Sequence, residues 1–174
     1  MSAGRKNTKT KKDWNTPPKY INPIKDFFDG EIELDPCSNN YSMVNAKNNF
    51  IYPFKNGLKE KWEENKIFIN PPYGRENGTS LYDWCLKALN EYDKNKHIIL
   101  LIPVATNTKH FKEIIFKKFN MICFLNDTRL KFFNNGVEDK KGAPMACCLI
   151  YMGTETKKFE TVFSEYGKVF NITQ

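Results

Sequence analysis

The sequence has few of the residues from which metal centres and secreted disulfide-bonded domains are built. It contains only two histidines among 174 residues, and none of its five cysteines forms a Cys-x-x-Cys pair. This scarcity excludes the usual zinc-ligand patterns, and we expect no bound metal. The odd number of cysteines also argues against a disulfide framework, because most of them lie in apolar runs where a free thiol packs as a small hydrophobic group. The cysteines are Cys37, Cys85, Cys123, Cys147 and Cys148.

A signal peptide and an apolar run long enough to span a membrane are also missing, so we expect a cytoplasmic protein with no membrane partner. Positive charge, by contrast, is abundant: 27 Lys and Arg residues against 20 Asp and Glu residues give a net charge of +7. Such an excess favours a polyanionic partner, nucleic acid above all, although a soluble protein that is merely basic has the same composition. Residues 1–13 are polar and basic without periodicity, which predicts a disordered tail before a single domain at 14–174.

Apolar residues alternate along the chain between the spacing of strands and the spacing of helices. The alternation predicts an α/β domain with a mostly parallel sheet. No helix is predicted between the runs at 121–125 and 145–152, so these two strands are expected to pair antiparallel near the C-terminus. Pro23 is expected to interrupt the first helix, and Gly167 to cap the last one. The predicted strands are 31–35, 66–69, 97–102, 121–125, 145–152 and 169–172, and the predicted helices begin at Thr16-Pro17, after Thr79 or Ser80, near residue 108 and at residue 155.

Two polar segments directly follow predicted strands. Asp35-Pro36-Cys37-Ser38 comes after the first strand, and Asn70-Pro71-Pro72-Tyr73 comes after the strand at 66–69. Ligands of open α/β sheets bind beyond the carboxyl ends of the strands. The two segments are therefore candidates for a binding site, although each also has the composition of a simple turn.

The Asn70–Tyr73 segment suits a ligand that carries an –NH2 group. Two consecutive prolines hold the backbone extended and have no N–H, so their carbonyls can face a ligand without a competing donor. The side-chain oxygen of Asn70 and the carbonyl of Pro71 can accept the two hydrogens of an amine. Tyr73 offers an aromatic face on which a base can stack. Adenine carries such an amine, but in a duplex the base must first be flipped out of the helix.

These residues also resemble a known family. Ile67-Phe68-Ile69-Asn70-Pro71-Pro72-Tyr73 is similar to the catalytic motif of amino-group methyltransferases, and the chain as a whole resembles the phage-type Dam DNA N6-adenine methyltransferases over about residues 14–152. The other matching pieces are Trp14-Asn15-Thr16-Pro17, Leu34-Asp35-Pro36-Cys37-Ser38, Gly57-Leu58 followed by Trp62, Leu100-Leu101-Ile102-Pro103, and Arg129-Leu130-Lys131-Phe132.

The resemblance implies a Rossmann-like methyltransferase fold and direct methyl transfer from S-adenosylmethionine to a flipped adenine of double-stranded DNA, with S-adenosylhomocysteine as the product. If the protein is phage-encoded, its place is the cytoplasm of a bacterial host. The Gly-x-Gly that many methyltransferases carry after their first strand is replaced here by Ser38-Asn39-Asn40-Tyr41. The resemblance implies that Trp14, Thr16, Pro17, Asp35, Pro36, Cys37 and Ser38 hold the cofactor, and that Asn70, Pro71, Pro72 and Tyr73 hold the adenine.

DNA contacts are expected from two loops, 74–80 and 126–144, which supply Arg75, Arg129, Lys131 and Phe132. Basic residues with interleaved aromatics suit a loop that holds phosphates, although the charges could equally be solvated and the phenylalanines packed on the core. Three rival functions stay open: a protein glutamine methyltransferase, an RNA adenine methyltransferase, and a catalytically inactive nucleic-acid-binding module.

Overall fold

The computed structural model describes residues 14–173, and the predicted tail at 1–13 lies outside them. Ten strands and four α-helices follow one another in that part of the chain, and the turn Phe111–Ile115, which leads into α3, is a π-helix. The strands are β1 (Trp14–Asn15), β2 (Leu34–Ser38), β3 (Asn48–Ile51), β4 (Lys66–Ile69), β5 (His97–Pro103), β6 (Met121–Leu125), β7 (Phe133–Asn134), β8 (Val137–Glu138), β9 (Cys147–Met152) and β10 (Gly167–Asn171). The helices are α1 (Pro18–Phe27), α2 (Leu81–Glu91), α3 (Phe116–Lys118) and α4 (Thr156–Phe163).

Seven strands form one sheet in the order β10-β6-β9-β5-β4-β2-β3. The pairs β3–β2, β2–β4 and β4–β5 are parallel, whereas β9 runs antiparallel to both β5 and β6, so β5 and β6 point the same way. The predicted antiparallel pairing of 121–125 with 145–152 is confirmed, with Met121 opposite Tyr151 and Phe124 opposite Cys148. The prediction of a mostly parallel α/β sheet is confirmed at this level. Strand β10, at the other edge, adds a further antiparallel pair with β6.

Helices cover both faces of this sheet. On one face, α1 and α4 pack against alternate residues of β5, including Ile99 and Leu101. On the other face, α2 and the π-helical turn pack against Ile98, Leu100 and Ile102. These five β5 side chains have no exposed surface, which explains why the strand reads in the sequence as an unbroken apolar run.

Two predictions about the first helix are wrong. Pro23 lies inside a continuous α1 and does not interrupt it. It removes the donor that would reach the carbonyl of Lys19, and Lys19 is exposed, so water can take that place. The N-cap is Pro17 rather than Thr16, and no side chain caps this helix end. For α2 the predicted cap is confirmed, because Ser80 and Asp83 form a reciprocal capping box.

Several predicted strand ends shift in the structure. Strand β2 covers Leu34–Ser38 instead of 31–35, so Asp35, Pro36 and Cys37 lie within the strand and not after it. Gly167 begins β10 and does not cap α4. A Cβ at Gly167 would lie 2.2 Å from the carbonyl oxygen of Phe124, so the approach of β10 to β6 requires glycine there.

The loop 126–144, which has no periodicity in the sequence, contains a small hairpin. Its strands β7 and β8 pair antiparallel around Asn135 and Gly136, whose φ angles are +50° and +79°. Positive φ at both central residues is the tight hairpin turn that Asn-Gly favours. Strand β1 adds to β7, with Trp14 opposite Asn134 and Asn15 opposite Phe133, to make a second, three-stranded sheet. Strand β1 is thereby held against the loop 126–144. Within residues 14–173, no helix has the length and apolarity needed to cross a membrane.

Candidate active site

An open cleft of about 500 Å³ lies where β2, β3 and β4 end. It joins most of the residues that the sequence singles out: one wall holds the Asn70–Tyr73 segment with Trp14, and the floor holds the end of β2. A smaller cavity of about 10 Å³ adjoins it and is lined by Thr16 and Asp35 among others. Pro17 lines neither and is buried at the start of α1. The predicted residues that line the cleft are Trp14, Pro36, Cys37, Ser38, Asn70, Pro71, Pro72 and Tyr73.

Asn70 directly follows β4, and one hydrogen bond fixes its side chain. Its Nδ2 donates to the main-chain carbonyl of Trp14 at 2.8 Å. A carbonyl can only accept, so the orientation of the amide is set: nitrogen faces Trp14 and Oδ1 is on the other side. No donor from residues 14–173 reaches this Oδ1. The side chain therefore presents a fixed acceptor at the wall of the cleft.

Tyr73 is held at both ends. Its hydroxyl donates to the carbonyl of Leu101 in β5 at 3.2 Å, and burial raises the pKa of this hydroxyl well above its usual value. Its ring meets the rings of Trp14 and Phe132 edge to face, with centroids 5.8 and 5.7 Å away. The hydroxyl is thus turned into the protein, and it is the ring that borders the cleft. The carbonyl of Pro71 as an acceptor stays a prediction.

Asp35 is a buried carboxylate, 4% exposed. Its oxygens accept from the backbone N–H of Cys37 at 3.1 Å and from the hydroxyl of Ser42 at 3.3 Å. Burial is the main effect and raises the pKa of Asp35 to about 6. Within residues 14–173 no Lys or Arg forms an ion pair with it. Such a carboxylate suits a cationic group of a ligand.

Three consecutive residues beside Asp35 carry buried polar atoms that have no partner in the described part of the chain. The atoms are Trp14 Nε1, Asn15 Nδ2 and Thr16 Oγ1. Asn15 and Thr16 are only 3% and 2% exposed and line the same small cavity as Asp35. An unpaired buried polar group costs roughly 1–3 kcal/mol, and all three atoms can donate. Donors together with a carboxylate fit a ligand that carries both an acceptor group and a cation, as an amino-acid moiety does.

The opposite wall of the cleft includes Gly57, which the sequence analysis names only as part of a family-like segment and to which it assigns no role. Gly57 packs so closely on β2 that a Cβ there would lie 1.9 Å from the carbonyl oxygen of Pro36. Trp62, fully buried, donates from Nε1 to the carbonyl of Gly57 at 2.8 Å and so holds the turn in place. Asn56-Gly57 was the available signal. Exposed Tyr52 and Lys55 lie on the same wall and carried no signal of a site.

The residues predicted to contact DNA divide into two groups. Arg75, Arg129 and Lys131 are exposed, and Lys131 lies 3.7 Å from Glu138 across the hairpin. Phe132 was expected to contact DNA, but it is not on the surface. It is 1% exposed and stacks on Trp14, with ring centroids 5.2 Å apart and planes 2° from parallel. The ring packs inward against Trp14 and Tyr73, whereas the preceding Lys131 is exposed.

No three His, Cys, Asp or Glu side chains within residues 14–173 form a group that could hold a metal ion. The Cys37 thiol lies at the cleft, but burial and the neighbouring Asp35 raise its pKa well above the usual value, so it is a neutral group there.

The chain was also compared with known proteins. No curated protein matches it. The family model described as DNA N-6-adenine-methyltransferase (Dam) matches residues 4–170, nearly the whole sequence. The chain therefore belongs to the Dam family of DNA N-6-adenine methyltransferases.

Proposed function

We propose that this protein transfers a methyl group from S-adenosylmethionine to the N6 amine of an adenine flipped out of double-stranded DNA, and that Asn70–Tyr73 is the catalytic segment. The observation that carries the proposal is the fixed amide of Asn70, which lines the cleft and whose oxygen receives no hydrogen bond from residues 14–173. Family membership supports DNA as the substrate and adenine as the base.

The chemistry required of the protein is to hold the amine and to favour its attack. Asn70 Oδ1 and the carbonyl of Pro71 would accept hydrogen bonds from the two N6 hydrogens. Their attraction for these hydrogens increases as N6 becomes positively charged, so they stabilise the transition state more than the ground state. As the bond from N6 to the methyl carbon forms, the bond from that carbon to sulfur breaks, and N6 then releases one proton to solvent. Tyr73 lies where its ring can stack on the base, and its hydroxyl bond to Leu101 keeps the ring in place. None of these steps needs a covalent intermediate or a metal.

The cofactor is assigned to the cleft of about 500 Å³, with its amino-acid end beside the small cavity, which itself has room for about one water molecule. S-adenosylmethionine supplies an electrophilic methyl group on a sulfonium. Asp35 would receive its ammonium group, and the donors of Asn15 and Thr16, which have no partner in the described part of the chain, would bind its carboxylate. The position at the carboxyl ends of β2 and β4 is the one at which α/β sheets bind ligands. The reversed strand β9 between β5 and β6 is compatible with a Rossmann-like methyltransferase sheet.

Methyl transfer from tritiated S-adenosylmethionine to three substrates tests the proposal. Duplex DNA should be labelled in adenine, whereas RNA and a glutamine-containing protein substrate should not. The Asn70→Ala protein is the matched control and should label none of them. Labelling of RNA or of protein glutamine alone would replace the proposed substrate, and DNA binding without any labelling would make the chain an inactive binding module.

A further inference from the structure

We infer that the β7–β8 hairpin is a positioning element for the catalytic centre: together with Trp14, it holds the amide of Asn70 in the orientation that leaves Oδ1 at the cleft. Trp14 and Phe132 then act as positioning residues for Asn70. The inference rests on the proposed function. It gives the loop 126–144, which the sequence analysis predicts to contact DNA, a positioning role as well.

The first step is that Asn70 depends on one main-chain group. Free rotation would allow its amide to turn its nitrogen toward the cleft, where a donor would repel the hydrogens of an amine. The carbonyl of Trp14, 2.8 Å from Nδ2, prevents this. The orientation of Asn70 is therefore only as well defined as the position of Trp14.

The second step is that Trp14 is positioned by the hairpin. Strand β1 has only two residues, and it pairs with β7 and with no other strand of the described chain. A pairing this short is weak on its own. The ring of Trp14 adds a parallel stack on Phe132, which directly precedes β7, and both rings meet Tyr73 edge to face. The three rings thus connect the hairpin to both ends of the Asn70–Tyr73 segment.

The third step is that the hairpin is itself well anchored. The backbone N–H of Asp139 donates to the carbonyl of Phe132 at 2.8 Å, and that of Ala143 donates to Leu130 at 2.7 Å. At its base, Asp127 accepts hydrogen bonds from Lys19 and Tyr20 of α1. Arg129 and Lys131 extend from this same framework into solvent. DNA bound by Arg129 and Lys131 would therefore contact the same loop that holds the β7–β8 hairpin and, through it, the amide of Asn70.

Phe132→Leu tests the inference, because it removes the stack and leaves an apolar side chain. The matched control is Phe159→Leu, since Phe159 is also buried and also stacked, on Tyr151 at 5.1 Å and 10°, but far from the cleft. Both variants should melt at lower temperature. Only Phe132→Leu should lose kcat, by at least about tenfold, because a small misplacement of a catalytic group is costly, with the affinity for S-adenosylmethionine unchanged. Equal kcat in the two variants would overturn the inference.

A second variant and a second measurement keep the test independent of core packing and of activity. Gly136→Val strains the hairpin turn at φ +79° from the surface, where a Cβ would meet nothing within 4 Å, and it should lower kcat in the same way. In the NMR spectrum, the side-chain amide of Asn70 should be a protected signal that shifts and broadens in Phe132→Leu and Gly136→Val but not in Phe159→Leu. If the wild type methylates no substrate, the proposed function fails while the amide signal still decides the positioning role.

Discussion

Asn70→Ala should abolish most of the methyl transfer and leave the fold intact. Within residues 14–173, the side chain makes one hydrogen bond, from Nδ2 to Trp14. Its loss costs about 0.5–1.5 kcal/mol, against the 5–15 kcal/mol by which a domain of this kind is stable. The lost acceptor at the reacting amine, by contrast, should raise the activation barrier by about 3–4 kcal/mol, which lowers kcat by roughly 10²–10³.

Single-turnover transfer of a tritiated methyl group to duplex DNA, at saturating cofactor, measures this loss without interference from product release. Thermal unfolding followed by near-ultraviolet circular dichroism shows whether the aromatic core is still packed. Cofactor affinity should be nearly unchanged, because the cavity assigned to the ammonium and carboxylate is lined mainly by other residues. A folded Asn70→Ala protein that turns over at close to the wild-type rate would refute the catalytic assignment.

Three further predictions concern the aromatic face, the buried carboxylate and the basic loop. Tyr73→Ala should lose far more kcat than Tyr73→Phe, because base stacking is worth roughly 1–3 kcal/mol while the phenylalanine loses only the bond to Leu101; equal losses in a kinetic comparison would assign the effect to the hydroxyl. The pKa of Asp35 is raised to about 6, above its ordinary 3.8. The free energy of unfolding should therefore fall by on the order of 3 kcal/mol as the pH rises from about 4 to about 6. Cofactor binding uses the ionised form of Asp35, so the affinity should weaken about tenfold per pH unit below about 6. If calorimetry finds that stability and cofactor affinity depend on pH in Asp35→Asn as they do in the wild type, both statements are contradicted. Replacing Arg129 and Lys131 together with alanine should lower the slope of log affinity for DNA against log salt by about 2, one per phosphate contact, with cofactor affinity unchanged; anisotropy titrations with an unaltered slope would place DNA on another surface.

The position of the Asn70–Tyr73 segment at the cleft was predictable because strong local signals agree with its setting. The apolar run of β4 is short, ends at a double proline and is buried on both faces, so both the strand and its end could be identified. Strand β2 was displaced in the prediction, because it continues through Pro36 to Ser38, which have the composition of a turn, and because it buries the charged Asp35. The carboxylate is accommodated by the hydrogen bonds from Cys37 and Ser42, and such tertiary compensation leaves no pattern in the sequence.

The hairpin and its connection to Asn70 were not predictable by the same means. Strands of two residues are too short to show alternation, and the hydrogen bond that orients Asn70 comes from a main-chain carbonyl, which every residue possesses. The one available signal was Asn135-Gly136, a dipeptide typical of tight hairpins. The inward position of Phe132 depends on Trp14, which is distant in the sequence, so composition alone suggested an exposed aromatic residue among charges.

During synthesis, β1 leaves the ribosome long before its partner does. Trp14 pairs with Asn134, which is 134 − 14 = 120 positions later. Closing so long a loop has an entropic cost that two residue pairs do not repay until the sheet between them has formed. In a nascent chain that already contains β4, the carbonyl of Trp14 is present, but β1 has no β7 to pair with. If the hairpin positions Asn70 as inferred above, we expect chains truncated before the hairpin to be inactive on DNA even though their Asn70–Tyr73 segment is intact.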